Sequence, residues 1–251
     1  MAKTYIALDA EFYWDRDLHE LHKAMDPKSQ RHAVAVKRVM AAAAFQFAID
    51  EEGRVSTGEI GSWSERDWVD EKGVVSKVFD YLRAHEDKPI VTYGGVAIDV
   101  PVLLHASMAH GLRLPPQLID QPGRRGPRAH RDLALQLKGS GRTWTHLSQL
   151  LLRMGVPFDL VAAKSNVPRP ASAAAWQNLR DHVELDCLLL AIAKIGWLVA
   201  QCTNGLRLEP AIVTLIEGFL RRRPDHGLAG ELRAFVSSLH SKIAEGFDEA
   251  A

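Results

Sequence analysis

Apolar positions along this chain alternate between two rhythms. Tyr5-Ile6-Ala7-Leu8 is a short apolar run that reads as a buried first strand, and two acids, Asp9 and Glu11, follow it at once. Residues 15–37 are polar and irregular, which predicts a long loop with a helical piece. "RVMAAAAFQFAID" (38–50) and "EEGRVSTGEIGSW" (51–63) read as a long hairpin turning at Glu51-Glu52-Gly53. Ser64 with Asp67 three residues on marks a helix start, after which Trp68, Val75, Val78, Phe79 and Leu82 recur at helical spacing. "PIVTY" (89–93) is a short buried strand bounded by Pro89 and Gly94-Gly95, and a helix runs from Asp99 to about His110 with Gly111 as its stop.

The second half is mostly helical. "RLPPQLIDQPGRRGPRA" (113–129) has the Pro, Gly and Arg content of a surface loop. Short helices are expected around 132–138 and 145–154, a loop over "VPFDLVAAKSNVPRPAS", and one long apolar helix over about 173–201. The last fifty residues form two helical pieces broken at "RRRPDHG". Strand, hairpin, helix, strand, helix, then mainly helix predicts an α/β protein with a mixed central sheet flanked by helices and a helical C-terminal part. No G-x-G-x-x-G follows the first strand and no G-K-[ST] occurs, so neither dinucleotide nor P-loop binding is indicated.

Composition narrows this picture modestly. The 251 residues are 47% hydrophobic, enough for one sizeable core with an appended part. Lys plus Arg and Asp plus Glu both number 31, which excludes a strongly basic nucleic-acid coat and leaves room for local patches. Cys187 and Cys202 make no disulfide framework. The N-terminus lacks a signal peptide's apolar stretch, and no apolar run is long enough to span a membrane, so a cytoplasmic protein is expected.

The chemistry begins at Asp9 and Glu11. Strand side chains alternate faces, so these two project together. Their mutual repulsion is tolerable in solvent, or when a hard divalent cation such as Mg²⁺ sits between them. Asp99, at the mouth of a helix, suits either an N-cap or a ligand. Asp186 stands where its helix turns almost wholly apolar, and a carboxylate there needs a partner. His182 lies one turn earlier, about 40° away on an ideal helix, and so addresses the same site.

With these residues in place, the chain resembles the DEDD superfamily of 3′–5′ exonucleases, and most closely the predicted exonucleases related to the proofreading domain of family-B DNA polymerases. The resemblance rests on D-x-E at Asp9 and Glu11, on "TYGGVAIDVPVL" around Asp99, on "HRDL" (130–133) and on "HVELDC" (182–187). It implies a ribonuclease-H-like exonuclease fold over residues 1–204, with residues 205–251 as a helical extension packed on the same domain. It also implies metal-dependent hydrolysis of phosphodiester bonds at the 3′ ends of single-stranded DNA or RNA, with two Mg²⁺ or Mn²⁺ ions about 3.5–4 Å apart. Any proofreading would act in trans on a polymerase. Asp9, Glu11, Asp99 and Asp186 would be the metal ligands, with His182 orienting or deprotonating the attacking water. This sequence departs from the family in carrying Gly94 for Asn, Ile98 for Phe and His182 for Tyr. The family's lysine segment is altered to "MGVPFDLVAAK", which leaves Lys164 as its candidate.

Candidate nucleic-acid contacts are Gly94 and Lys164 from the resemblance, Arg124, Arg125 and Arg128 as phosphate ligands in a loop also containing Arg131, and Tyr13 and Trp14 as stacking or core aromatics. Arg221-Arg222-Arg223 is a second basic cluster. Two other readings of the same residues are a catalytically weak nucleic-acid-binding module and a phosphoesterase acting on small nucleotides.

Overall fold

The computed structural model describes residues 2–28, 34–119, 129–162, 169–203 and 205–248. Its centre is one mixed sheet in the order β3-β2-β1-β4-β5. β1 (Lys3–Trp14) pairs antiparallel with β2 (Lys37–Ile49), which pairs antiparallel with β3 (Val55–Ser64). On its other side β1 runs parallel to β4 (Ile90–Thr92), and β4 runs parallel to β5 (His130–Asp132). The hairpin turn falls where expected: Asp50 Oδ1 accepts from the Glu52 and Arg54 amides, and Gly53 supplies φ 79°.

Alternation along β1 divides the core in two. Tyr5 and Ala7 face one helical layer, and Ile6, Leu8 and Ala10 face the other. β2 does the same, with Ala41, Ala43, Phe45 and Phe47 on the first face and Val39, Ala42 and Ala44 on the second. The four consecutive alanines present almost no side-chain height, so helices can lie close to the sheet. α8 (Ala173–Ala200) approaches near enough for Cys187 Sγ to donate to the Ala43 carbonyl at 3.1 Å. α3 (Glu71–Ala84) and α4 (Asp99–His110) cover the second face.

β1 is longer than the apolar run predicted. It continues through both acids to Trp14, because the β2 backbone pairs with it along the whole length. The pairing slips once, between Glu11 and Phe12, where Met40 is the extra residue on β2. Glu71 holds this bulge: Oε1 accepts from the Val39 amide at 2.9 Å, and Oε2 accepts from Arg38 and His110.

Three further differences from the expected elements have local causes. The helix starting after Ser64 stops early as α2 (Glu65–Trp68), because Val69 takes φ 72° and Asp70 caps a new helix by accepting from the Gly73 amide. "HRD" forms an additional strand, β5, and Asp132 at its end caps α5 (Leu133–Lys138), the short helix expected around 132–138. Phe158–Ala162, expected as loop, forms the short helix α7, after α6 (Leu147–Arg153). The helical piece expected within 15–37 is α1 (Arg16–Met25), capped by Asp15.

The C-terminal helices α9 (Leu208–Arg222) and α10 (Ala229–Asp248) join the first core through Leu215, Phe219, Leu232 and Phe235. α9 lies against the edge strand β3 at Gly218, and Arg222 reaches the Thr57 hydroxyl and carbonyl. A Cβ on Gly218 would meet Thr57 Oγ1 at 2.1 Å, Cγ2 at 2.5 Å and Cβ at 2.7 Å, so rotating the threonine gives no relief. Helix propensity alone favours alanine here by about 1 kcal/mol. The contact should outweigh it, giving a net loss of about 1–2 kcal/mol for Gly218→Ala. That corresponds to a melting temperature lower by roughly 2–8 °C in a chain of this size. A thermal melt that is unchanged or raised would show that α9 can slide on β3.

Candidate active site

The odd-numbered positions of β1 face α8, and Asp9 and Glu11 continue the series begun by Tyr5 and Ala7. The strand therefore delivers both acids to the helix that carries Asp186 and His182. Glu11, His182 and Asp186 place one ligating atom each within 4.8 Å of one another. His182 Nε2 lies 3.1 Å from Glu11 Oε1 and 3.7 Å from Asp186 Oδ2. A carboxylate only accepts, so in this arrangement Nε2 carries the proton and donates to Glu11. The i−4 placement of His182 relative to Asp186 thus gives one shared site. Asp186 is 5% exposed, at the edge of the apolar stretch of α8. Asp9 adjoins the next residue of that helix: burial, then the charges of Asp9 and Asp186, push the Cys187 thiol well above its ordinary range.

Asp99 completes the acidic group from the other side of the sheet. It is the first residue of α4, one place inside the cap position, which is Ile98. The carboxyl faces Glu11 and receives the Ala10 and Asp99 backbone amides. Burial above all, then the charges of Glu11 and Asp132, push it up to about 7.

Asp132 is a positioning residue that the linear pattern did not reveal. Its Oδ1 accepts from Gly94 N at 2.9 Å and from Ala134 and Leu135 at 2.9 and 3.2 Å, and its Oδ2 accepts from Val96 N at 2.9 Å. One side chain thereby ties the start of α5 to the loop leading into Asp99. The signal in the sequence was an aspartate directly before an apolar helical run in "HRDL". Gly94 takes φ 73°, and a Cβ there would touch nothing within 4 Å. Its contribution is a left-handed turn, a conformation asparagine also tolerates, which accounts for the exchange with the family's residue.

Beyond the bulge, Tyr13 is half-buried under the Arg169 guanidinium, 4.5 Å from its ring centroid, and Arg169 also pairs with Glu65 at 2.9 Å. Trp14 meets His19 edge to face at 4.8 Å. With Phe12, Asp15 and Arg169 they line an open cavity of about 630 Å³. Arg124, Arg125, Arg128 and Lys164 lie outside the described residues. Of the basic cluster at 221–223, Arg222 is bound to β3, and Arg223 Nε is held by both oxygens of the buried Glu184 at 2.9 and 2.8 Å. Those two arginines serve the fold.

A second group, Asp181, Glu184 and His226, also has ligating atoms within 4.8 Å of one another. Arg223 and Ser62 already occupy Glu184, and the His226 ring and Gly227 amide are bonded to Asp181. Its charge is compensated internally. Around Glu11, by contrast, hard oxygen donors and an imidazole stand at a spacing that fits a divalent metal ion.

A mixed sheet in this order, with acids on its central strand and on a long helix packed against it, defines a ribonuclease-H-like exonuclease fold. The sequence matches over residues 30–189 a family described as predicted 3′–5′ exonucleases related to the exonuclease domain of PolB, and the chain belongs to that family. The match contains Asp99, His182 and Asp186 and begins after Asp9 and Glu11. Among solved structures, the family-B DNA polymerase of Pyrobaculum calidifontis is similar at 16% identity and TM-score 0.45, over 88% of this chain and 29% of the polymerase. The zinc-bound complex of E. coli ExoI with single-stranded DNA is similar at 15% identity and TM-score 0.39, over 79% of this chain and 40% of ExoI. The chain thus spans less than half of either neighbour. No curated protein matches the sequence. No helix among the described residues is long and apolar enough to cross a membrane.

The raised Asp99 carboxyl makes stability depend on pH. Its unfolded value is near 3.8 and its folded value higher, so the fold favours the protonated form. That contribution is full below the unfolded value and is lost as pH rises through about 7. Asp99→Asn removes the dependence. In chelator, the variant's melting temperature should exceed that of the parent by a margin that widens from pH 5 to pH 8. A margin that is constant or shrinks would place Asp99 away from the other acids.

Proposed function

We propose that this protein is a divalent-metal-dependent 3′–5′ exonuclease that removes nucleotides from single-stranded DNA or RNA. The observation that carries the proposal is the convergence of Glu11, His182 and Asp186, with Asp99 facing Glu11, in a chain whose family is described as predicted 3′–5′ exonucleases. Asp9, Glu11, Asp99 and Asp186 would hold two ions, Mg²⁺ or Mn²⁺. Bound ions would supply charge neutralisation at the scissile phosphate and acidify water.

The chain's own residues then divide the work. Asp132 fixes the backbone before Asp99, and the Glu71-held bulge sets where Tyr13 and Trp14 stand relative to Glu11. Those two aromatics border the open cavity beyond Glu11 on β1 and would stack on a terminal base, a contact of about 1–3 kcal/mol. His182 acts as the base or orienter of water. For Nε2 to accept a proton from water, the proton it carries would first pass to Glu11, or the ring would take the tautomer protonated at Nδ1, so the protonation of His182 and its contact with Glu11 are linked. The loop arginines 124, 125 and 128, with Lys164 and the turn at Gly94, would receive the phosphate backbone. Residues 205–251 support this domain from the β3 edge.

A 5′-labelled single strand incubated with Mg²⁺ or Mn²⁺ should yield a ladder shortening from its 3′ end. Asp9→Asn and Asp186→Asn should each abolish the ladder while leaving the fold intact. His182→Ala should lower kcat by roughly 10²–10⁴-fold with metal affinity retained, and His182→Tyr should restore part of it. Full activity in both aspartate variants at saturating metal would put the reaction elsewhere. Hydrolysis of small nucleotides without shortening of the strand would favour a phosphoesterase.

A further inference from the structure

At the start of β1 the structure gathers charge of the opposite sign. The Lys3 ammonium, the Arg131 guanidinium and the Lys194 ammonium lie 5.7, 5.6 and 5.8 Å from the Tyr5 ring centroid. They come from three elements, β1, β5 and α8, so the grouping is a product of the fold. We propose that Lys3, Arg131 and Lys194 around Tyr5 form a binding site for a phosphate dianion, separate from the acidic site.

Lys194 is 1% exposed and Tyr5 is 1% exposed. Lys194 Nζ donates to a neutral partner, Gln136 Oε1, at 3.1 Å. Among the described residues no carboxylate pairs with Lys3, Arg131 or Lys194. The charges each lysine senses are those of its cationic neighbours: burial first, then Arg131 and Lys3, lower the Lys194 amine to about 8, and burial and Arg131 lower Lys3. A buried ammonium beside two other cations is unfavourable unless an anion joins them. A phosphate dianion matches three cations better than a monoanion does, and its oxygens can accept from the arginine fork, the ammonium groups and the Gln136 amide together.

Lys3 is exposed and Arg131 half-buried, so an anion would meet these two first, with Tyr5 and Lys194 buried behind them. Arg131 donates to the Tyr5 hydroxyl, which fixes its orientation. The site is remote from the acids. Lys3 lies six residues before Asp9, about 20 Å along the strand. Lys194 lies eight residues after Asp186, about 12 Å along α8. The ligand class is a phosphate monoester or inorganic phosphate, in contrast to the monoanionic phosphodiester of a nucleic-acid chain. The inference stands whether or not the acidic site is a nuclease.

Calorimetry and thermal melts of the full chain at pH 7.5, without divalent metal, provide the test. The probes are inorganic phosphate and adenosine 5′-monophosphate, each against potassium chloride at matched ionic strength. Both phosphates should bind saturably and raise the melting temperature. Arg131→Gln and Lys194→Met should each weaken binding at least tenfold, and the exposed Lys3→Gln several-fold. Lys3→Gln keeps the test decisive if a buried variant folds poorly. Stabilisation no greater than that by chloride, or affinity unchanged in Lys3→Gln and Arg131→Gln, would overturn the proposal. A 5′-hydroxyl dinucleotide, carrying only a diester, should compete at least tenfold more weakly than the monophosphate. Equal competition would overturn the assignment to a dianion.

Discussion

The period-two alternation of β1 is the constraint on which the molecule depends. Even positions Ile6, Leu8 and Ala10 enter one core, and odd positions Tyr5 and Ala7 enter the other. Asp9 and Glu11 extend the odd series beyond the point where apolar packing stops. The same register that buries Tyr5 and Ala7 therefore fixes the direction of the acids. A slip of one residue would send both toward α3 and α4, away from Asp186 and His182. The pairing with β2 guards that register over the strand's whole length, and the one permitted irregularity falls immediately after Glu11.

Around that strand, backbone amides hold Asp99 and the loop that leads into it. Asp99 receives two amides, and the loop before it is anchored by the four amides bonded to Asp132. By contrast, Glu184, two residues before Asp186 and about 200° away around α8, is paired with Arg223 and bonded to Ser62. The same helix thus carries a carboxylate committed to structure and, two residues later, one directed into the acidic site. Which neighbour each meets is decided by β1, β3 and the α9–α10 connection.

Much of this was legible in the sequence because it follows from short periods. The common face of Asp9 and Glu11, the i−4 relation of His182 to Asp186, the hairpin turn at Gly53 and the Gly111 stop each need only local geometry. What escaped needs a partner distant in the chain. β5 is three residues, two of them charged and one histidine, and it is a strand because β4 pairs with it. Arg222 and Arg223 read as a second basic cluster, yet their partners are Thr57 and Glu184. The break between α2 and α3 comes from Val69 and from Gly73 lying so close to the Trp68 carbonyl that a Cβ would meet it at 2.1 Å. β1 runs past its apolar run: acids suggest solvent, whereas here the β2 backbone pairs with the strand on both sides of them.

The central claim is that the acids on β1 and α8 are arranged for a divalent cation. Anomalous diffraction from crystals grown with Mn²⁺ tests it most directly. The account predicts a manganese peak coordinated by Glu11 and Asp186, with none at Asp181, Glu184 and His226, where Arg223 already supplies the positive charge. A peak at the second group, or no bound manganese at either, would contradict it.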